Sequence, residues 1–555
     1  MAWYDSAVFY HIYPLGLCGC PHDNNGEEGS HFDKLNEWAE HANRIGCNAI
    51  YIGPLFESGS HGYDTIDYRL VDRRLGSNED FKEFVANCHS MNMKVIVDGV
   101  FNHTGRGFFA FEDIKKNREN SRYKDWYCSV NFYGNNEYDD GFSYDNWGGY
   151  NLLAKLNQWN PEVKNYHFDT VRFWVDEFDI DGIRLDAADV LDHGFMHELR
   201  QVCDGLKPEF WLMGEVIHGD YSRWANGDML HSVTNYELHK GLFSGHNDHN
   251  YFEIAHTIKR LNGLVGNTRL YTFTDNHDVA RIYSKLNNKE HMFPVAILQY
   301  TVPGIPSIYY GSEFGIEGDK NRDSDWNLRP DLELSDFDEN SELTQLFAKL
   351  GRIKQNFPEL TYGDYQELQL TNRQFAFARC LDGKAVVTLV NNDDNPAHME
   401  VNLPVFANKA VNLLSLQEES EEEKADREAK RLEALEKAFN DKKNGLLDKA
   451  GQLVGASGEI SSKAEGVRSI VADSSQATDL GEELQAVVAS LKESITNMQR
   501  VYDEFVGECG IGPATAVEPG NVSGCDNLTI RDGRLVVDLA PNRGVIAYLT
   551  NESGN

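Results

Sequence analysis

Four short stretches carry most of the chemistry this sequence could perform. They are Asp98-Gly99-Val100-Phe101-Asn102-His103, Asp181-Gly182-Ile183-Arg184-Leu185-Asp186, Gly214-Glu215-Val216-Ile217-His218 and Asp275-Asn276-His277-Asp278. Each follows an apolar run and places acids, His or Asn at its C-terminal end. Arg184 and Asp186 lie two apart, so on a strand both point to one side. A guanidinium and a carboxylate on an apolar strand are costly to bury unless paired or used. A structural ion pair explains one such stretch taken alone. Four of them, each closing an apolar run, favour a shared site.

Asp186, Glu215 and Asp278 are the candidate catalytic acids. Two carboxyl groups about 5–5.5 Å apart suffice for double displacement at a sugar carbon, one as nucleophile and one as acid/base. The nucleophile must be ionised, and Arg184 beside Asp186 is expected to lower its pKa. The acid must hold a proton, and Glu215 sits in an apolar setting of Met213, Gly214, Val216 and Ile217 that raises one. His103 and His277 are expected to donate to sugar hydroxyls, and Tyr63 to offer a flat face to a pyranose ring.

The elements that must position these residues alternate. Val8–Tyr13 reads as a strand, then a helix at about 32–45 with Leu35, Trp38, Ala39 and Ala42 on one face. Asn48–Gly53 is a second strand, followed by a helix at about 79–91 and the strand Lys94–Val97. From Thr104 to Asn157 the rhythm breaks into a Tyr-, Asn-, Gly- and Asp-rich excursion with no long periodic helix. It resumes with a helix at about 162–178 and strands at Gly182–Leu185, Trp211–Gly214, Ser232–Tyr236, Leu270–Thr274 and Ser307–Tyr310. Eight strand–helix units predict a (β/α)8 barrel, an α/β TIM-barrel fold with its site at the C-terminal strand ends. From about Tyr365, short alternating strands predict a C-terminal antiparallel β-sandwich that closes with Leu528–Ile530, Leu535–Leu539 and Gly544–Leu549.

That sandwich is interrupted. After the acidic run Glu418–Glu423, apolar residues from Leu480 through Leu484, Val487, Leu491, Ile495, Met498 and Val501 to Phe505 recur at spacings of three and four. The pattern predicts a coiled-coil-like helical insertion over 416–520, suited to oligomerisation or partner docking, or else an inert graft. The expected domains are a barrel in two parts, 1–103 and 158–360, an inserted domain at 104–157, a sandwich in two parts, 361–415 and 521–555, and the 416–520 insertion.

The chain has 555 residues and a formal net charge of −36, which argues against nucleic acid and anionic membrane as partners. No run of 18 apolar residues suggests a membrane span. The N-terminus does not resemble a signal peptide, and nine scattered cysteines suit a reducing, cytoplasmic setting.

The four stretches together resemble the conserved regions of the α-amylase family of glycoside hydrolases. Gly62-Tyr63-Asp64-Thr65 and Gly304-Ile305-Pro306-Ser307-Ile308-Tyr309-Tyr310-Gly311 match further family motifs. Leu153-Ala154-Lys155-Leu156-Asn157 looks like a segment of neopullulanase-like and cyclomaltodextrinase-like members. The resemblance implies Asp186 as nucleophile, Glu215 as acid/base and Asp278 as transition-state stabiliser. Arg184, His103, His277 and Tyr63 would line the subsite of the attacked glucose, with Asp98 and Asn102 in support and Asp98 orienting Arg184. The implied substrate is an α-glucan oligosaccharide with mainly α-1,4 bonds, which suits Ala187 after the nucleophile. Many α-amylases carry Lys-His where this chain has Asp189-Val190, and that His helps bind structural calcium. No metal site is therefore carried over, Asp23 and Asn25 are read as a solvated loop, and no cofactor is expected. Transglycosylation or isomerisation at the same site remains open, as does a non-catalytic binding role, which retention of all three acids disfavours.

Overall fold

The computed structural model describes residues 2–321, 324–415 and 525–551, with side chains from residue 528 onward in the last stretch. These residues fall in one compact unit, Met1–Ser415 together with Val522–Asn555. The expected helical insertion at 416–520 lies outside the described residues.

Eight parallel strands form the barrel: β1 (Phe9–Ile12), β2 (Ala49–Ile52), β3 (Lys94–Gly99), β4 (Gly182–Leu185), β5 (Trp211–Gly214), β6 (Ser232–Val233), β7 (Tyr271–Phe273) and β8 (Ile305–Tyr309). Their order is β6-β5-β4-β3-β2-β1-β8-β7. The remaining gap is bridged where Thr234, just past β6, pairs in parallel with Tyr271 of β7. These strands are short and almost wholly buried, as expected where helices cover one face and the barrel interior fills the other.

Strand register stacks the interior in layers. Phe9 lies opposite Ala49, Ile96 opposite Gly182, and Gly182 opposite Trp211. With Met213, Tyr271, Phe273 and Ile305 these residues form an apolar plug. Phe9 and Trp211 stack within it, ring centroids 4.9 Å apart. Burying each large side chain contributes about 1.5–3 kcal/mol. Two residues further along β1 to β4 the interior turns polar: His11 opposite Tyr51, and Asp98 opposite Arg184. The apolar floor thus sets the height at which the polar site begins.

The covering helices begin where local signals place them. α1 (Phe32–Arg44) buries Leu35, Trp38, Ala39 and Ala42, the face read from the sequence. α2 (Asn78–Ser90) starts at a Ser77–Asp80 capping box, and α3 (Pro161–Phe178) starts at Asn160 with proline in its first turn. α4 (His193–Leu206) is capped by Asp192. α5 (Tyr236–Asn247) and α6 (Tyr251–Val265) both follow β6, α7 (Met292–Thr301) follows β7, and α8 (Glu342–Asn356) follows β8. One expectation needs correction. Between β5 and β6 there is only a single 3-10 turn, Tyr221–Arg223, and the strand–helix alternation fails there. The excursion after β3 contains a short helix, Phe109–Asn117, which buries Ala110, Phe111 and Ile114. Its aromatic start and nine-residue length hid the period. The same excursion builds a three-stranded sheet from His103–Thr104, Tyr150–Lys155 and Asn146–Trp147.

The C-terminal region is two antiparallel sheets. One runs β9 (Asp364–Leu370), β10 (Gln374–Leu381), β11 (Lys384–Asn391), then β16 (Gly544–Thr550) and β13 (Lys409–Asn412). The other runs β12 (Ala397–Asn402), β15 (Arg534–Leu539), β14 (Cys525–Arg531). Ala378, Val387, Leu389 and Ala547 from the first share a core with Met399, Val401, Leu535 and Val537 from the second. No described helix is long and apolar enough to cross a membrane.

Candidate active site

Arg184 organises the C-terminal mouth of the barrel. It is buried, and its guanidinium meets three carboxylates. Nη1 reaches Asp98 Oδ1 at 2.6 Å and Asp186 Oδ1 at 2.9 Å, and Nη2 reaches Glu215 Oε2 at 2.8 Å. Asp98 and Arg184 are register partners on adjacent strands, so their pairing follows from the sheet itself. Asp98 is fixed from its other side by the Tyr51 hydroxyl at 2.7 Å. Gly53 leaves room for it: a Cβ there would lie 2.5 Å from Asp98 Oδ2.

Two carboxyl groups bound to one guanidinium cannot be farther apart than the width of that group and two hydrogen bonds. Asp186 and Glu215 meet this condition. The Asp186 and Glu215 side chains are 11% and 12% exposed, so both open to the cavity, whereas Asp98 at 1% faces only protein. Glu215 is held by the Ala187 backbone N–H at 3.2 Å and by the Tyr236 hydroxyl, which donates to Oε1 at 3.2 Å. Asn276 Nδ2 donates in turn to that hydroxyl at 3.3 Å.

Asp278 approaches from past β7 and is the most open of the acids, with a third of its side chain exposed. His277 Nε2 lies 2.9 Å from Asp278 Oδ2, and Arg329 Nη2 lies 3.0 Å from Oδ1. Arg329 also donates to the His277 carbonyl and to the Tyr13 hydroxyl. Tyr63 stacks on His277 with centroids 5.4 Å apart, hydrogen-bonds its Nε2, and donates to Asp98 Oδ2 at 3.3 Å. The structure therefore brings together all seven residues singled out in the sequence: Tyr63, His103, Arg184, Asp186, Glu215, His277 and Asp278. His218 is exposed and stands apart from this network.

The electrostatics depart from expectation at two places. Burial pushes the Asp186 carboxyl up more than Arg184 pulls it down, and the charges of Glu215, Asp98 and Asp278 add to the upward push. Arg184 shares its one charge among three carboxylates, so Asp186 receives only part of it. Asp278 behaves oppositely. Burial raises it, but His277, Arg329 and Arg184 outweigh that and hold it well below the usual carboxylate range. The second departure is His103. Burial lowers its pKa to about 3, so the ring is neutral with a single N–H. Nε2 faces the Tyr63 carbonyl at 3.2 Å, while Nδ1 faces Asn102 Nδ2. That one proton points to the Tyr63 carbonyl in this structure, so His103 braces the Tyr63 loop.

Sequence reasoning missed Arg329, Tyr236, Tyr51 and Tyr13. Arg329 follows a 3-10 turn in the irregular chain after β8, where no period or strand end marks it. Tyr236 had a usable signal: it is the first residue of α5, and loops just past barrel strands build such sites.

Comparison with known proteins places this site in a family. The description "Alpha amylase, catalytic domain" matches residues 32–357. The chain is 31% identical over 426 residues to the cyclomaltodextrinase of Thermoanaerobacter pseudethanolicus, covering 70% of this chain and 71% of that one. It is 29% identical over 435 residues to the intracellular maltogenic amylase of Bacillus subtilis strain 168, covering 74% and 72%. The solved debranching enzyme of Nostoc punctiforme superposes with a TM-score of 0.67 at 30% identity, over 74% of this chain and 92% of that one. With more than half its length matched by the family description, and with the family's acids gathered around Arg184 at the barrel mouth, the chain belongs to the α-amylase family of glycoside hydrolases.

Proposed function

We propose that the protein hydrolyses α-1,4 glucosidic bonds of maltooligosaccharides by double displacement. The observation that carries this reading is the placement of Asp186 and Glu215 on one buried guanidinium, both open to the barrel mouth. Asp186 attacks the anomeric carbon while Glu215 gives its proton to the departing glycosidic oxygen. A covalent glycosyl-enzyme results. Glu215 then takes a proton from water, the water oxygen attacks the same carbon, and Asp186 leaves. Retained configuration follows from two inversions.

The acids divide their labour by environment. Asp278, held ionised by Arg329 and His277, grips ring hydroxyls and faces the positive charge that develops on the sugar. Arg184 stands between Asp186 and Glu215 and bonds to both. In the reacting complex Glu215 carries the proton it gives to the glycosidic oxygen, and Asp186 is ionised for attack. Arg184 then stabilises the nucleophile, and Asp98 orients Arg184. The chemistry calls on no cofactor.

The proposed domain boundaries are those expected from the sequence, and every site residue named above lies outside 416–520. The proposal places the protein in the cytoplasm, a reading supported by free cysteines among the described residues and by the name of the Bacillus subtilis relative. A panel of maltose, maltotriose, pullulan, cyclodextrin, isomaltose and trehalose, with products resolved by chromatography, tests it. Cleavage of the α-1,4-linked members to glucose and maltose is expected. No cleavage of any of them, or action on isomaltose alone, would overturn it.

A further inference from the structure

The excursion after β3 places an exposed aromatic pair beside the site. Its hairpin joins Asn146–Trp147 to Tyr150–Lys155 through Gly148 and Gly149, both at positive φ. Trp147 and Tyr150 are register partners, so they share a face of the hairpin. They remain 39% and 64% exposed. The tip is nevertheless tied in place by hydrogen bonds. Asn146 Oδ1 accepts from the Gly149 N–H at 3.0 Å, Asn146 Nδ2 donates to Asn151 Oδ1 at 2.7 Å, and the Tyr144 hydroxyl donates to the Asn151 carbonyl at 2.6 Å. The longer strand pairs directly with the segment that carries His103: His103 lies opposite Lys155, and Thr104 opposite Ala154. The Trp147 ring reaches back to the His103 ring, centroids 6.0 Å apart. His103 in turn braces Tyr63.

An aromatic face left in water forgoes the gain of burial, and here the scaffold holds it still next to the cavity of Asp186 and Glu215. Such a face matches the apolar C–H face of a pyranose, and the hydrogen bonds that tie the tip lower the ordering cost of binding. We propose that Trp147, with Tyr150 beside it, is a stacking platform for a glucosyl unit beyond the one attacked, and that it sets a preference for chains long enough to reach it. This rests on the α-glucan reading above and adds a chain-length determinant to it.

Kinetics of Trp147→Ala and Trp147→Phe on an aryl α-glucoside, maltotriose and maltoheptaose test the platform. Trp147→Ala should raise KM about tenfold on maltoheptaose with a smaller change in kcat, and the loss should shrink with each unit removed. Trp147→Phe should recover most of it. Binding is read separately from turnover. In a Glu215→Gln background, tryptophan fluorescence titrated with maltoheptaose should report affinity about tenfold weaker once Trp147 is Ala. Equal losses on all three substrates, or unchanged affinity in the titration, would overturn the platform. Wild-type protein that binds maltoheptaose without cleaving it would overturn the proposed hydrolysis instead, and the titration would still decide the platform.

Discussion

Asp98 holds Arg184 at 2.6 Å, closer than Arg184 stands to either Asp186 or Glu215. The strongest grip on the guanidinium thus comes from the acid most hidden from the cavity. That acid fixes where the guanidinium meets the other two. Gly53 is part of the arrangement, because any side chain there would displace Asp98. Gly53→Ala should therefore lower kcat by up to about a hundredfold, the scale of an ångström's misplacement, while KM changes less. Steady-state kinetics beside a thermal melt check this, and an unchanged kcat in a folded variant would remove Asp98 as the positioning residue.

Glu215→Gln keeps the hydrogen-bonding shape but has no proton to give. Turnover of maltotriose should fall by about 10²–10⁴-fold. An aryl glucoside with a good leaving group needs little protonation, so the first step on it should fall much less. Parallel losses on both substrates, with folding intact, would contradict the acid role.

Asp186 and Asp278 should respond to pH with opposite signs. The Asp186 carboxyl is raised in the folded protein, so its contribution to stability is present at low pH and is lost as pH rises through its folded pKa. Asp186→Asn avoids that loss. It should raise Tm at neutral pH and give no gain near pH ~4, the range of an unfolded carboxylate. Melting curves between those limits read the effect, and a lower Tm at neutral pH would contradict the charge balance drawn around Arg184.

Asp278 is depressed, so its stabilisation is present above the unfolded carboxylate range and is lost as pH falls through its folded pKa. Asp278→Asn should lower Tm at neutral pH, with a deficit that narrows below pH ~4. Arg329→Ala should show the same trend more weakly, because His277 still faces Asp278. A deficit that grows on acidification would contradict the pairing.

Much of this site was legible because barrel strands announce themselves. β4 and β5 are buried apolar runs, and polar residues at the ends of such runs have few places to go except the mouth. Lateral partners were illegible for the converse reason. Arg329 follows a 3-10 turn, and its role depends on meeting Asp278, 51 positions earlier in the chain. The effective charge on Asp186 was also out of reach. Sequence shows Arg184 beside it, but only the packed structure shows that Glu215, as well as Asp98, claims the same guanidinium. In the sandwich, the edge strand β9 is half-exposed along most of its length and carries no sharp alternation, so its bounds were the least legible. The helix at Phe109–Asn117 was hidden by its own aromatics, which belong equally well in an irregular loop.

Every residue named in the network around Arg184 lies outside 416–520, and the strands on either side of that stretch, β13 and β14, belong to separate sheets. Replacing 416–520 with a short Gly/Ser linker should leave kcat/KM on maltotriose within about twofold, since ends already joined by a loop cost little more to close. Light scattering before and after should carry any change in assembly. Loss of activity in a folded deletion would show that this segment helps to build the site.

The central claim is that Asp186 forms a covalent bond to the sugar. Incubation with a fluorinated α-glucosyl donor that slows the second displacement, then proteolysis and peptide mass spectrometry, tests it most directly. The account predicts one glycosylated peptide with the sugar ester on Asp186, and none when Asp186 is replaced by Ala. A label on Glu215, Asp278 or any other residue, or turnover of the donor without a covalent adduct, would contradict it.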